Sequence, residues 1–357
     1  MIRALTVRSR VPNSASVVDV PEPTPASDEL VVDGLAVGVC GTDVEIVSGE
    51  YGWAPPGRDW LVLGHESLGR VRTAPPGSGF REGDLVAGVV RRPDPVPCGA
   101  CAVDEFDMCR NGRYTERGIK ELDGYASQVW CVPPEYAVAV AADLADVGML
   151  LEPTSVVAKA WEQVDRVGGR SWFAPERVLV TGAGPIGLLA ALLGVQRGLD
   201  VHVLDRVTDG RKPAAVAALG GTYHSAPVAE VTERIQPDVI VEATGSSSVV
   251  FDAMAGTASY GIVCLTGVSP VGRTLTVDVG SMNREVVLEN DVVVGSVNAN
   301  RRHYALAAEA LAAADLDWLH GLISRRVPLD RFADAFVPQP DDIKVVITLD
   351  EAGAGDG

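Results

Sequence analysis

The sequence predicts an α/β protein of two domains: a mixed β domain, and a doubly wound parallel sheet inserted before the chain returns to the first domain. Three observations predict it. Up to about residue 153, short β-like runs (29–37, 68–73 and 84–90) alternate with Gly/Pro turns, the texture of an antiparallel or mixed sheet. From residue 177 the texture becomes βα, with strands at 177–180, 200–204, 237–241 and 262–266. Finally, Gly182-x-Gly184-x-x-Gly187 falls between the strand 177–180 and an apolar helix at 186–193, the context a dinucleotide-binding turn requires. A helical stretch at 303–314 and a strand at 344–349 are expected to rejoin the first domain. The expected boundaries are 1–155 with 301–357 for the first domain and 156–300 for the second. The Gly/Ala/Asp-rich tail after Glu351 is expected to fray.

Composition narrows the function classes. The chain has 357 residues, 47% of them hydrophobic, enough for two cored domains. Its 48 acidic against 30 basic residues give a formal net charge of −18, which argues against nucleic acid or an anionic membrane as partner. The N-terminal stretch lacks the apolar core of a signal peptide, and no apolar run is long enough to span a bilayer, so a cytoplasmic location is expected. Six cysteines in a chain of this length do not make a disulfide scaffold. Cys131 and Cys264 lie in strand-like apolar runs and read as core residues.

In chain order, the first chemistry-bearing set is Cys40, His65, Glu66 and Glu152. Alone, Cys40 reads as a small core residue and Glu152 as a helix cap. Together they offer a thiolate, an imidazole and carboxylates, and three protein ligands leave zinc one open position for water or an alcohol oxygen. Asp43 is placed to accept the distal N–H of His65 and fix its tautomer. Next, Cys98-x₂-Cys101-x₇-Cys109 reads as metal or redox chemistry. The glycines of the fingerprint, followed by Pro185 and Ile186, permit a tight turn and a helix N-terminus facing pyrophosphate. Asp205 then ends the second strand, where a carboxylate holds ribose hydroxyls and repels a 2′-phosphate, favouring NAD. Arg206, Arg211 and Lys212 beside it keep NADP open. Thr244, Gly245, Gly267 and Val268 end later strands, where open α/β sheets bind ligands.

Gly41-Thr42-Asp43 after Cys40, the Gly64-His65-Glu66 segment and Glu152-Pro153 resemble the zinc-dependent medium-chain alcohol dehydrogenases. Leu61-Val62-Leu63-Gly64-His65-Glu66, Val90-Arg91-Arg92, Tyr114-Thr115-Glu116-Arg117-Gly118-Ile119, Asp123-Gly124-Tyr125, Leu151-Glu152-Pro153 and Gly295-Ser296-Val297-Asn298 are similar to the glucose 1-dehydrogenase branch, over nearly the whole chain. The resemblance implies a GroES-like catalytic domain, a Rossmann domain and oxidation of an aldose to a lactone. It implies Cys40, His65 and Glu66 as zinc ligands, with Glu152 coordinating zinc or bonding its water. Glu116 and Asn298 are implied as sugar-hydroxyl binders, and Thr42 as the group on the alcohol oxygen. Glu45 continues the proton relay, or the proton leaves through Glu66, Glu152 and water. Ser296 and Asn298 are implied on the nicotinamide side, Lys344 at the cofactor phosphates, and a homodimer or homotetramer through the apolar strand near 292–297.

The chain departs from that pattern in three places. The cysteine lobe has three thiols where the family's structural zinc has four. Asp104, Glu105 or Asp107 would supply the fourth ligand, with Asp104 at the usual spacing; the alternative is a lobe that holds no metal. Val90 stands before the Arg pair where some relatives place a sugar-contacting Asn, and Leu204-Asp205-Arg206-Val207 replaces the Arg-rich end of strand two that relatives use for NADP. Two other substrate classes therefore stand beside an aldose: a cyclitol, polyol or sugar intermediate of secondary metabolism, and a simple alcohol. A catalytically silent nucleotide-binding paralogue is the non-enzyme alternative.

Overall fold

The computed structural model describes residues 1–349. The tail expected to fray lies outside the described residues. The chain forms two compact units: Met1–Ser155 with the chain from Ala299 onward, and Val156–Asn298. The return therefore falls at Ala299 rather than at residue 301.

In the first unit, the strand Leu30–Val39 is the spine, with Leu30, Val32, Ala36 and Val37 buried. It pairs antiparallel with Glu66–Thr73, with Lys344–Thr348 and with Val129–Val132. This register brings three strand ends together. Gly38 stands opposite both Glu66 and Val346, so Cys40 just past one strand, Glu66 at the start of a second and Lys344 at the start of a third converge. A Cβ at position 38 would lie 1.9 Å from Glu66 Oε2, so any larger residue would have to displace that carboxylate. The helix Gly41–Val47 begins directly after Cys40. The core beneath is aliphatic with Tyr125 and Trp130 in an edge-on ring contact at 4.7 Å.

The second unit is a six-stranded parallel sheet in the order Thr222–His224, Asp200–Leu204, Arg177–Thr181, Val239–Glu242, Ile262–Leu265, Val292–Gly295. The sequence order reverses between Arg177–Thr181 and Val239–Glu242, the switch point where such sheets bind ligands. The helix Pro185–Gln196 packs on the sheet through a run of buried residues from Gly187 to Gly194, with Pro at its first position as helix entry favours. His202 and His224, without a partner pattern in the sequence, stack at 5.1 Å between centroids and share a 2.8 Å contact between ring nitrogens. No described helix is long and apolar enough to cross a membrane.

Candidate active site

Cys40, His65 and Glu66 offer ligand atoms that all lie within 4.8 Å of one another. Cys40 Sγ is 3.1 Å from His65 Nε2. Tetrahedral zinc, with bonds of about 2.0 Å to nitrogen and 2.3 Å to sulfur, would hold such atoms roughly 3.5 Å apart. The donor set therefore fits zinc. Asp43 organises it from behind: one carboxylate oxygen accepts the Cys40 N–H at 3.0 Å and the other lies 3.4 Å from His65 Nδ1. The contact is longer than a well-formed hydrogen bond, and a metal on Nε2 would leave the Nδ1 proton facing this carboxylate. Burial works against a charge on His65, yet the Asp43 and Cys40 charges beside it raise its pKa well above the ordinary value. Ligation consequently releases protons.

Lys344 is placed differently from the sequence expectation. Its ammonium is buried on both Glu66 oxygens, at 2.7 and 2.6 Å, and on the Val39 carbonyl at 3.2 Å. A side chain only 1% exposed and committed to a carboxylate is not presented to cofactor phosphates. Lys344 instead balances the charge of a zinc-ligand candidate. Glu152, half-buried by surface area, does not join the 4.8 Å set, and its carboxyl pKa is pushed up to about 7, chiefly by desolvation. Thr42 is half-buried and Glu45 exposed on the helix Gly41–Val47.

The lobe brings Cys98, Cys101 and Cys109 together as a second thiol set within 4.8 Å. Asp104 is not its fourth member. Its carboxylate is held by Arg301 at 2.6 Å and is largely exposed. Arg302 holds Glu105 at 2.8 Å, and Asn300 Nδ2 donates to Asp107 Oδ1 at 2.9 Å. Three consecutive residues of the returning chain thus clasp the three acidic side chains that the spacing offered as ligands. Asn300 is thus engaged within the fold, and His303 is buried with Nδ1 accepting the Asn300 N–H as part of the same helix cap. Glu116, also buried, takes the Arg91 guanidinium on Oε1 at 3.0 and 2.8 Å.

In the second unit, the fingerprint glycines have separable tasks. Gly182 has φ +94°, and a Cβ on Gly187 would lie 1.7 Å from the Gly182 carbonyl oxygen. Gly184 caps the helix, and a Cβ there meets nothing within 4 Å. Asp205 accepts the Ala183 N–H at 2.8 Å and faces Lys212 at 3.2 Å. Arg206 is exposed. At the far strand ends, Ser296 Oγ and both amide atoms of Asn298 are buried with no hydrogen-bond partner among the described residues. Asn298 adopts φ +52°. Buried polar atoms are nearly always satisfied, so this pair asks for a ligand.

A model of the glucose dehydrogenase C-terminus matches residues 145–349, and one of the alcohol dehydrogenase GroES-like domain matches residues 26–142. The glucose 1-dehydrogenase of Methanocella arvoryzae is 40% identical, over 98% of this chain and 99% of that protein. The glucose 1-dehydrogenase of Thermoproteus tenax is 41% identical at the same coverage. The chain belongs to the glucose dehydrogenase family. Among solved structures, Haloferax mediterranei glucose dehydrogenase in complex with NADP, Zn and gluconolactone superposes with a TM-score of 0.89 at 33% identity, covering 98% of this chain and 99% of that one. The GroES-like and Rossmann architecture expected from the sequence is thereby established.

Within this glucose dehydrogenase fold, sequence reasoning missed Glu242. It ends a strand at the switch point, is fully buried, and accepts from Thr244 N at 2.7 Å, from Gly245 N at 3.2 Å, and from the Thr181 and Thr244 hydroxyls. A Cβ on Gly267 would press on Gly245 N at 2.2 Å and on Glu242 Oε2 at 2.7 Å. One carboxylate therefore shapes the loops that carry Thr244, Gly245 and Gly267. A signal was available, since an acidic residue closing an apolar strand before Ala-Thr-Gly has no solvent reason to be there. Glu242→Gln turns an amide N–H toward these donors and is expected to cost ~1–3 kcal/mol. We expect the Kd for the nicotinamide cofactor to rise roughly 5- to 150-fold, with zinc content unchanged; fluorescence titration and metal analysis check both.

Proposed function

We propose that this protein is a zinc-dependent, nicotinamide-dependent dehydrogenase that oxidises the anomeric hydroxyl of an aldose to a lactone. The observation that carries the proposal is the Cys40–His65–Glu66 donor set with Asp43 and Lys344 behind it, in a chain matching glucose 1-dehydrogenases over its full length. Bound zinc supplies Lewis acidity that lowers the pKa of a substrate hydroxyl. The residues do the rest. Cys40, His65 and Glu66 hold the metal, with Lys344 tempering the charge of Glu66. Thr42 takes the hydroxyl proton toward solvent by way of Glu45, or Glu152 and water receive it. The raised pKa of Glu152 suits a group that exchanges protons near neutrality. Glu116 and Asn298 bind ring hydroxyls, and Ser296 with Asn298 meets the nicotinamide side.

For the cofactor we propose a preference for NAD. Asp205 is a half-buried carboxylate whose pKa is held down against burial by the Ala183 N–H and by Lys212, and a charged carboxylate at the end of the second strand of such a sheet disfavours a 2′-phosphate. Asp205→Asn retains an acceptor for Ala183 and removes the charge. It is expected to move the NAD/NADP ratio of kcat/KM toward NADP by roughly 10-fold, about 1.4 kcal/mol. A ratio that does not move in parallel steady-state assays would assign discrimination elsewhere.

Val90 favours a second substrate reading, a cyclitol or other polyol. The Val90 side chain is buried and its backbone N–H donates to the Tyr304 hydroxyl at 3.2 Å, at a position for which the family resemblance implied a polar sugar contact. Assaying glucose, galactose, xylose, a cyclitol and a short alcohol with both cofactors decides between the readings. Glucose or a related aldose as best substrate upholds the first; a cyclitol as best substrate replaces it. We further propose a homodimer or homotetramer built on the sheet edge Val292–Gly295, flanked by the exposed apolar Val268, Val287, Leu288 and Val297. Light scattering is expected to give at least twice the chain mass, and paired lysines at Val287 and Leu288 to reduce it.

A further inference from the structure

Arg91 and Glu116 form an ion pair whose geometry is wasteful for stability and useful for recognition. The two-residue strand Arg91–Arg92 pairs antiparallel with Thr115–Arg117, which sets Arg91 directly opposite Glu116. Both side chains are buried, each 8% exposed. A buried ion pair is weak evidence for stability, because apolar replacements of similar volume are often neutral or better. Two charges kept here call for a different explanation.

The arrangement of the guanidinium supplies one. The usual Arg–carboxylate fork places one nitrogen on each oxygen. Here Nε and a terminal nitrogen both donate to Oε1, at 3.0 and 2.8 Å. The other terminal nitrogen donates to the Asp107 carbonyl at 3.2 Å, and the group lies over the Tyr114 ring at 3.6 Å from its centroid. Arg91 is thus fixed on three sides, and among the described residues nothing donates to Glu116 Oε2. The anchor at Asp107 is firm because Asn300 clasps the same residue.

The backbone ties the turn that follows Glu116 to the segment bearing His65. Two residues on, Gly118 packs so closely on Gly64, the neighbour of His65, that a Cβ would lie 2.5 Å from the Gly64 carbonyl oxygen. Trp53, in the loop that follows the helix bearing Thr42, exchanges backbone hydrogen bonds with the same turn through Ile119 and Glu121, both at 2.9 Å. Tyr51 in that loop has its hydroxyl pKa raised by burial and by the Glu116 charge.

We propose that Arg91 is a positioning residue for substrate selectivity: it holds the Glu116 side chain by Oε1 with Oε2 presented to a ring hydroxyl of the sugar. The proposal rests on the aldose reading above. Arg91 touches neither substrate nor metal, and acts through Glu116 alone.

A double-mutant cycle on the full-length, zinc-loaded chain tests it, using Arg91→Gln, Glu116→Gln and the two together. Substrates are glucose, xylose and a short alcohol, with zinc content and nicotinamide Kd measured alongside. We expect Arg91→Gln to raise KM for aldoses about 10- to 100-fold, with kcat little changed and zinc and nicotinamide binding unaffected. The double variant should be no worse than Glu116→Gln, and Arg91→Lys should recover part of the loss. Multiplying effects in the double variant, or equal losses on aldose and alcohol, would overturn the proposal. Should Arg91→Gln fail to fold, Arg91→Met with Glu116→Gln removes both charges and should lose aldose discrimination; wild-type discrimination in that variant would also overturn it. A wild type that turns over no aldose with either cofactor would instead sink the aldose reading itself.

Discussion

Replacing Cys40 or His65 by alanine is expected to lower aldose oxidation by at least ~10³-fold, since Lewis-acid stabilisation of developing charge is worth several kcal/mol. Nicotinamide binding should persist, because the glycine turn and Asp205 belong to the other unit, Val156–Asn298. The measurement is steady-state kinetics paired with metal analysis and cofactor titration. The two variants should fail together with zinc loss. Turnover retained in a zinc-free variant would remove the metal from the account. Asp43→Asn is the gentler companion, keeping a hydrogen-bonding side chain near Cys40 while weakening the hold on His65 Nδ1.

The second large effect separates two glycines of one motif. Gly187→Ala drives a Cβ to 1.7 Å from the Gly182 carbonyl oxygen, so the turn must open or the helix Pro185–Gln196 must shift. Overpacking of this kind costs ~1–3 kcal/mol or more, visible as a lower Tm, and cofactor affinity should fall with it. Gly184→Ala meets no protein atom within 4 Å. That variant should melt like wild type and lose cofactor affinity alone, because its methyl enters the space into which the backbone admits pyrophosphate. Equal Tm losses in both variants would contradict this division of tasks.

Much of this was readable in the sequence because it is local. Strand, glycine turn and helix are contiguous at 177–196, so the dinucleotide unit announces itself by spacing and periodicity. Cys40, His65 and Glu66 could be named as candidate ligands because each sits in a short distinctive segment, and the fold brings their donor atoms within 4.8 Å of one another. The partners of those residues were harder to read. Lys344 meets Glu66 across 278 residues through the shared register of Leu30–Val39 with two other strands. Nothing near Lys344 encodes that, and the family analogy pointed it at phosphate instead. Asp104 had the right spacing for a metal ligand, yet Arg301 captures it from 197 residues away. Spacing fixes what a residue can reach locally, whereas competition from distant cations decides what it does reach. Glu242 was overlooked for a related reason: its partners are backbone N–H groups of Thr244 and Gly245 and two threonine hydroxyls, one of them 61 residues away, so the acidic strand end was the one local sign of its role.

The central claim is removal of hydride from the anomeric carbon of an aldose to a nicotinamide at the Cys40–His65–Glu66 metal centre. The most direct test is turnover of glucose deuterated at C1, with the reduced cofactor and the sugar product analysed together. The account predicts deuterium on the nicotinamide ring, a lactone or its hydrolysed acid as product, and no transfer in the Cys40→Ala variant. Oxidation at another carbon, with the label left on the sugar, would contradict it.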